Sequence, residues 1–459
     1  MKSLSPKLIV SLLAVGVAAG ITGIVLTLLL HAVQHWVFGY PADVVLPYRV
    51  MVEESSPLRR WLVLLLCGGV VGAGWVWLHR KAAPLVPIKT AVVSGREMPL
   101  AATLLHGLLQ IVTVALGSPL GREVAPREIS AALAERWAKW RGLDAEERGV
   151  LLACASGAGL AAVYNVPLAA AVFALETLML SWSRDRLLAA LIACGTAVLV
   201  VRAGLGDVIQ YPMPAFPLPD WGFNVWALAV APLLALGVWG FERCMGRLPE
   251  IPRRSVRMVW VALAAFGLIG FLAWWFPEIM GNGKAGNQLS FAGDLDWRYA
   301  LGLLGAKWAA LLLATLAGAY GGRITPSMML GGLIAFAAAC GWNVLLPGVD
   351  AGRRRLWGRW CFGCGAENAG NSAGVYAGAV APIAGAVAAA VFVYGASTGG
   401  VPFAAGGGGR LRRAVWDGKR LPEKWFQLCR NLLCLFRCVE ACVLASLKLS
   451  LALQDIVFR

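Results

Sequence analysis

Most of the chain consists of long apolar runs that are separated by short polar or charged segments. Lys2 and Lys7 precede an apolar run from Leu8 to about Leu30, and a second run extends from Trp61 to about Leu78. About 20 consecutive apolar residues allow a helix to cross the hydrocarbon core of a bilayer. Further apolar segments follow at residues 100–116, 151–180, 187–201, 225–241, 256–276, 300–317 and 325–346. This pattern predicts an all-α, polytopic membrane protein.

Basic residues and helix-breaking residues give this pattern a direction and an internal division. The second apolar run ends in His79-Arg80-Lys81, which the positive-inside rule places in the cytoplasm, together with the N-terminus. Glycine and proline interrupt several runs, which indicates tilted and broken transmembrane helices. Four prolines between residues 211 and 219 mark a seam. We therefore expect a first membrane half at residues 1–205, a linker at 206–219 and the start of a second half at 220–352.

Composition narrows the function further. Hydrophobic residues make up 59% and charged residues 14% of the 459 positions, and the mean hydropathy is +0.69. We attribute the net charge of +16 to basic cytoplasmic loops that interact with anionic lipid headgroups. The expected partner is therefore a lipid bilayer, and no nucleic acid is expected. The cysteines lack zinc-type spacing, so no metal site is expected. Neither a Ser/His pair nor a G-x-S-x-G or H-E-x-x-H motif accompanies the glutamates, so the chain is not expected to be an enzyme.

An arginine and a carboxylate lie at one of the interruptions, in Leu120-Gly121-Arg122-Glu123-Val124-Ala125-Pro126, here called the first motif. Ionisable groups within a membrane protein are energetically costly and usually mark function. Glycine before them and proline after them favour a helix that starts inside the membrane, with free N–H groups available to an anion. The alternative is an ordinary Arg/Glu pair in a short extramembrane loop.

Three stretches resemble the CLC family of chloride channels and proton-coupled chloride exchangers. The first motif is similar to the family's G-R-E-G-P element, and residues 157–176 resemble its G-x-x-A-x-x-N-x-P-L-A-G…F-x-x-E stretch. Residues 318–326, here called the second motif, resemble its G-x-x-G-G-x-F-A-P element. The resemblance implies a CLC-type inverted repeat that transports chloride or a related small anion, with no cofactor. It also implies a homodimer in the bacterial inner membrane.

The resemblance assigns roles to individual residues as well. In the family, backbone N–H groups at two helix starts hold the anion. Helix N-termini suit this task because they supply partial positive charge without a full cation that would trap the ion. Glu123 matches the gating glutamate, whose ionised carboxylate occupies the outer anion site and whose protonated form swings away. The residues so assigned to the anion lining are Gly121, Arg122, Glu123, Arg323, Ile324 and Thr325.

Two departures from the family pattern concern selectivity and coupling. The family's early G-S-G-I-P element is absent, and by spacing Pro84 takes the place of its serine, so another anion such as nitrate is an alternative to chloride. Proton-coupled members carry two adjacent glutamates where this chain has Glu176-Thr177. Glu176 is no direct substitute for the missing inner proton acceptor, because adjacent helical positions point about 100° apart. Two alternatives therefore remain, a passive channel and an exchanger with a different proton path.

The character of the sequence changes near residue 352. Six of the eleven cysteines lie beyond Gly352, and residues 353–361 show neither helical nor membrane periodicity. One set of codons for residues 367–372 reads Lys-Met-Pro-Val-Thr-Ala when shifted by one base, which resembles the family's K-M-P-L-T-A. We therefore predict that residues 353–459 are an aberrant, frameshifted C-terminal part. The alternative to a frameshift is a tail that diverged but was selected. The alternative to transport is that the chain is a non-functional remnant of a chloride channel.

Overall fold

The computed structural model describes residues 4–40, 46–207, 221–249, 251–292 and 295–345. Helices dominate these ranges, and an isolated antiparallel bridge is the single β-type pairing among the described residues. The prediction of an all-α protein is confirmed. Residues 208–220, which make up most of the predicted linker, and the whole of 353–459 lie outside the described residues, so the domain boundaries and the frameshift stay predictions.

The first half contains nine α-helices among its described residues. The helices are α1 (Pro6–Phe38), α2 (Tyr48–Glu54), α3 (Pro57–Lys81), α4 (Ile88–Ser94), α5 (Leu100–Ala115), α6 (Val124–Arg141), α7 (Ala145–Tyr164), α8 (Pro167–Phe173) and α9 (Arg184–Leu205). A π-helical turn, Ala174–Met179, continues α8. The apolar segment 151–180 is therefore not one helix. It breaks at Asn165, which adopts a left-handed conformation with φ 58° immediately before Val166-Pro167.

The described part of the second half contributes five more α-helices and a short 3₁₀ turn, Pro277–Ile279. The α-helices are α10 (Trp221–Met245), α11 (Arg257–Leu272), α12 (Lys284–Ala292), α13 (Trp297–Leu316) and α14 (Ile324–Leu345). Several starts follow from local chemistry. The side chains of Ser5, Ser56 and Asp144 each accept a hydrogen bond from the backbone N–H three residues later, which satisfies a donor that the helix leaves free.

Five of the described helices, α1, α3, α9, α13 and α14, are long and apolar enough to cross a membrane. On α1, large apolar side chains such as Val10, Ile21 and Leu28 are about half exposed, which suits contact with lipid. These helices carry few charged residues in their apolar windows. Their length, apolar character and exposed apolar side chains make the chain a multi-pass membrane protein, as the apolar runs predicted.

Glycines allow the helices of this bundle to approach closely. A Cβ atom at Gly16 or Gly20 of α1 would overlap α9, and one at Gly68 or Gly72 of α3 would overlap α11. Small residues at such contacts let helix backbones pack tightly in a membrane, where van der Waals contact supplies much of the association energy. The contact between α3 and α11 joins the two halves, and the larger apolar core extends from it to α13 and α14.

Candidate anion site

The two motifs meet each other through their backbones. Gly121 N donates to Gly322 O at 2.7 Å, and Gly322 N donates to Gly121 O at 2.8 Å, which forms an antiparallel bridge between the halves. Helix α6 begins at Val124 and α14 at Ile324, so both N-termini lie beside this bridge. The first N–H groups of a helix have no partner within it and carry partial positive charge. The bridge therefore brings two anion-attracting helix ends to one place.

The side chain of Glu123 occupies this place. Glu123 is fully buried, and its Oε1 accepts a hydrogen bond from the backbone N–H of Ile324 at 2.8 Å. A carboxylate from the first half thus caps the N-terminus of a helix from the second half. Because a carboxylate is an anion, this contact identifies the N-terminus of α14 as a position that binds negative charge.

Two hydroxyl groups complete the surroundings of the carboxylate. The hydroxyl of Tyr164 donates to Glu123 Oε2 at 3.0 Å and lies 2.6 Å from Thr325 Oγ1. Thr325 was assigned to the lining from the sequence, but the sequence assigned no role to Tyr164. The one sequence signal for Tyr164 was its position directly before Asn165-Val166-Pro167, where a helix is expected to end. Its contact partners lie 41 and 161 residues away along the chain, so only the fold reveals the contact.

Glycine is required on both sides of the carboxylate. A Cβ atom at Gly121 would collide with both carboxylate oxygens of Glu123, and one at Gly322 would collide with its Cγ, Cδ and Oε1. The two glycines of the bridge therefore create the space in which a carboxylate fits. Gly121 was predicted as part of the lining, whereas Gly322 was noted only as part of the second motif.

The arginines of the two motifs have different surroundings. Arg122 is 8% exposed, its guanidinium lies 5.8 Å from the ring centroid of Tyr164, and its Nε has no hydrogen-bond partner among the described residues. Arg323 lies 4.0 Å from the carboxylate of Glu242 on α10. Arg122 therefore contributes positive charge close to the site, while the charge of Arg323 is balanced by a carboxylate of the second half.

The remaining predicted residues lie apart from this group. Pro84 is exposed in the segment between α3 and α4. Glu176 is exposed on the π-helical turn, and the Thr177 hydroxyl donates to Phe173 O of the preceding turn at 2.5 Å. Within the described part of the chain no hydrogen bond joins any of these three residues to Glu123, so their roles in anion binding and proton movement stay predictions.

The sequence matches one protein family over most of its length. The profile of the family described as "Voltage gated chloride channel" matches residues 68–399, a range that includes the first 47 residues of the segment predicted to be frameshifted. A "chloride channel protein ClcB-like" from Ralstonia nicotianae is 27% identical over 73% of this chain and 79% of its own length. The "Voltage-gated ClC-type chloride channel ClcB" of Citrobacter koseri is 28% identical over 64% of this chain and 72% of its own length.

Solved structures agree on the fold. A slow cyanobacterial Cl⁻/H⁺ antiporter superposes with a TM-score of 0.67 at 18% identity, and covers 86% of this chain and 95% of its own. A CLC-type fluoride/proton antiporter superposes with a TM-score of 0.60 at 20% identity, and covers 85% of this chain and 94% of its own. At these identities the likeness establishes the fold, which is the CLC-type arrangement that the motifs predicted. The chain belongs to the voltage-gated chloride channel family.

Proposed function

We propose that this protein transports chloride or a similar small anion across the bacterial inner membrane, with Glu123 as the gate. The observation that carries the proposal is the hydrogen bond from Ile324 N–H to the Glu123 carboxylate. The protein's own carboxylate fills a position built to bind an anion. A diffusing anion would therefore compete with Glu123 for the same donors.

The gate follows from the charge of that carboxylate. Ionised Glu123 is held by the N–H of Ile324 and the hydroxyl of Tyr164, and it blocks the position. When Glu123 takes up a proton it loses its negative charge, and its attraction to the N-terminus of α14 falls. Once the side chain leaves, an entering anion finds the neutral donors of Ile324, Tyr164 and Thr325, which hold an anion less tightly than a directly bound cation would.

Two modes of transport are compatible with this gate. A passive channel needs only that Glu123 moves, whereas an exchanger must also deliver protons to Glu123 from the opposite side. Thr177 in place of a second glutamate argues against the family's usual inner acceptor. The two structural relatives described above are proton antiporters, while both sequence relatives are named as channels. Nitrate and fluoride are alternatives to chloride as the anion. The protein acts as a homodimer and not as an enzyme.

Chloride efflux from liposomes tests the proposal. The purified 459-residue chain, and a second version with its tail encoded in the shifted frame, are reconstituted at equal density with a potassium ionophore. We expect the version with the shifted frame to release chloride faster than empty vesicles, and this efflux should rise as the pH falls because protonation opens the gate. In Glu123→Gln, the efflux at neutral pH should rise and lose its pH dependence.

A matched control is Glu97→Gln, which removes an exposed carboxylate that pairs with Lys139 away from the site. This control should keep the pH dependence of the parent protein. If neither version of the chain moves chloride, nitrate or fluoride faster than empty vesicles, the proposed function is wrong. If Glu123→Gln keeps the parent's pH dependence, the gate is another residue.

A further inference from the structure

A partly buried carboxylate lies on the gate helix α6, within a group that the transport site does not use. Glu128 is on α6, five residues after Glu123. His106 of α5 is 2% exposed, and its Nε2 lies 3.5 Å from Glu128 Oε2. The amide of Gln110, one turn further along α5, donates to the same oxygen at 3.1 Å. We call these residues, together with Trp75, His79 and Tyr320, the His106 cluster.

The tautomer of His106 is fixed by its other neighbour. The indole N–H of Trp75 donates to His106 Nδ1 at 2.9 Å, and an indole nitrogen can only donate. Nδ1 must therefore be the acceptor, so neutral His106 carries its proton on Nε2, which faces Glu128. Gln110 donates to Oε2, and the Nε2–H of His106 lies 3.5 Å from the same oxygen, so Oε1 is the oxygen on which a proton can be received.

The cluster extends from Glu128 towards the end of α3 that the basic residues place in the cytoplasm. The ring of Tyr320 packs edge-on against His106, with centroids 4.6 Å apart, and its hydroxyl lies 3.3 Å from His79 Nε2. His79 is followed by Arg80 and Lys81 at the end of α3. The guanidinium of Arg253 lies over the Tyr320 ring, 4.6 Å from its centroid. Ionisable groups therefore connect the inner surface with the N-terminal part of α6.

The cluster also touches both motifs of the anion site. Tyr320 lies in the second motif, two residues before Gly322 of the bridge, while Glu128 lies on the helix that the first motif opens. At a rise of about 1.5 Å per residue, Glu128 and Glu123 are separated by roughly 7.5 Å along the axis of α6. Between them in sequence, Arg127 interacts electrostatically with both carboxylates. The charged and titratable groups facing Glu128 are therefore His106 and Arg127, with His79 and Arg253 behind His106.

From this arrangement we infer that Glu128 is an inner proton site that serves Glu123. A proton from the inner solution binds the Glu128 carboxylate at Oε1 and makes the neutral acid. Water molecules then carry a proton over the remaining distance to the Glu123 carboxylate, and Glu128 returns to its ionised form. Each transfer makes one O–H bond and breaks another, so charge and protons balance. This inference rests on the proposed function, because the proton is used to open the anion gate.

Simultaneous measurement of chloride and proton movement tests the inference. Liposomes holding the conducting version of the full chain are placed in an outward chloride gradient with no proton gradient, and the external pH is followed together with external chloride. We expect protons to move against the chloride flux in the parent protein. Glu128→Gln should lower the proton flux by roughly 100-fold, which is the rate contribution typical of one positioned proton-transfer group. Chloride efflux should persist.

The control Glu176→Gln changes the exposed glutamate on the π-helical turn and should leave the proton flux as it was. His106→Leu removes the donor that faces Glu128 and should reduce the proton flux less than Glu128→Gln does. Persistent chloride efflux shows that each variant is folded. Chloride efflux without proton movement in the parent protein overturns the inference and leaves the proposed function intact. Unchanged proton flux in Glu128→Gln, or its loss in Glu176→Gln alone, also overturns it.

Discussion

The carboxylate of Glu123 in the first half accepts a hydrogen bond from the backbone N–H of Ile324 in the second half, at 2.8 Å. The two residues are 201 positions apart, and each lies at the start of a helix. The contact depends on the bridge between Gly121 and Gly322, which holds the two helix starts side by side. One hydrogen bond thus links the residue proposed as the gate to the packing between the halves.

The hydroxyl of Tyr164 should stabilise the closed gate. Tyr164→Phe removes a donor to an ionised carboxylate, which costs about 1.5–3 kcal/mol, so we expect chloride efflux at neutral pH to increase by roughly tenfold or more. Thr325→Val removes the neighbouring hydroxyl but keeps the bond to Glu123, and should have a smaller effect. Efflux assays on liposomes at neutral pH measure both changes.

Tyr299→Phe is the control for this prediction, because the Tyr299 hydroxyl donates to the buried carboxylate of Glu278 at 2.7 Å, outside the anion site. The control should leave the efflux at neutral pH unchanged. Equal efflux in Tyr164→Phe and the parent protein would show that the hydroxyl does not hold the gate.

The space around the carboxylate gives a prediction for Gly322. In Gly322→Ala the new methyl group overlaps the closed position of the Glu123 carboxyl, so the gate should be displaced and efflux should lose its pH dependence. Adding Glu123→Ala removes the overlap, so the double variant should behave like Glu123→Ala alone. Such non-additivity is the signature of two residues that share one space.

The matched control is Gly305→Ala on α13, where a new Cβ has no heavy atom within 4 Å. It should express, fold and conduct as the parent protein does. Normal pH-dependent gating in Gly322→Ala would contradict the closed position of Glu123 described above.

Lys307 should be important for stability and not for gating. It is fully buried, and its Nζ donates to Ile279 O and Gly281 O, both at 2.8 Å. The Gly281 N–H in turn donates to Gly117 O, just before the first motif. Lys307→Met leaves two buried carbonyl groups without this donor, at about 1–3 kcal/mol each, so the unfolding midpoint in detergent should fall. Lys89→Met, at an exposed position, should leave the midpoint unchanged.

The C-terminal part gives the last prediction. If residues 353–459 are frameshifted, their side chains were not selected to pack on the first 352 residues, and poor packing in a membrane loses van der Waals contact. We expect low yield and no anion efflux from the chain as written, and normal efflux once the frame is restored. Sequencing the last third of the gene and comparing the two versions in liposomes checks this. Robust efflux from the unaltered chain would contradict it.

The sequence alone determined the class of the protein and the location of its helix starts, because both depend on local properties. Apolar runs predict membrane helices by their length, and glycine before proline predicts a helix that begins within the membrane. The resemblance of the two motifs to the family then assigned Glu123, Ile324 and Thr325 to the anion lining before any contact was known, and these roles stay predictions. The π-helical turn Ala174–Met179, by contrast, has no comparable local signal.

Only the tertiary structure decided which groups meet. The Tyr164 hydroxyl contacts Glu123, and His106 faces Glu128, because α6 packs against both α5 and α7. No local pattern records these pairs, since a tyrosine at a helix end or a histidine on an apolar helix has the same appearance when it merely fills space. The direction of each side chain is set by helix rotation and by the close contacts that glycines permit, and both are properties of the packed chain.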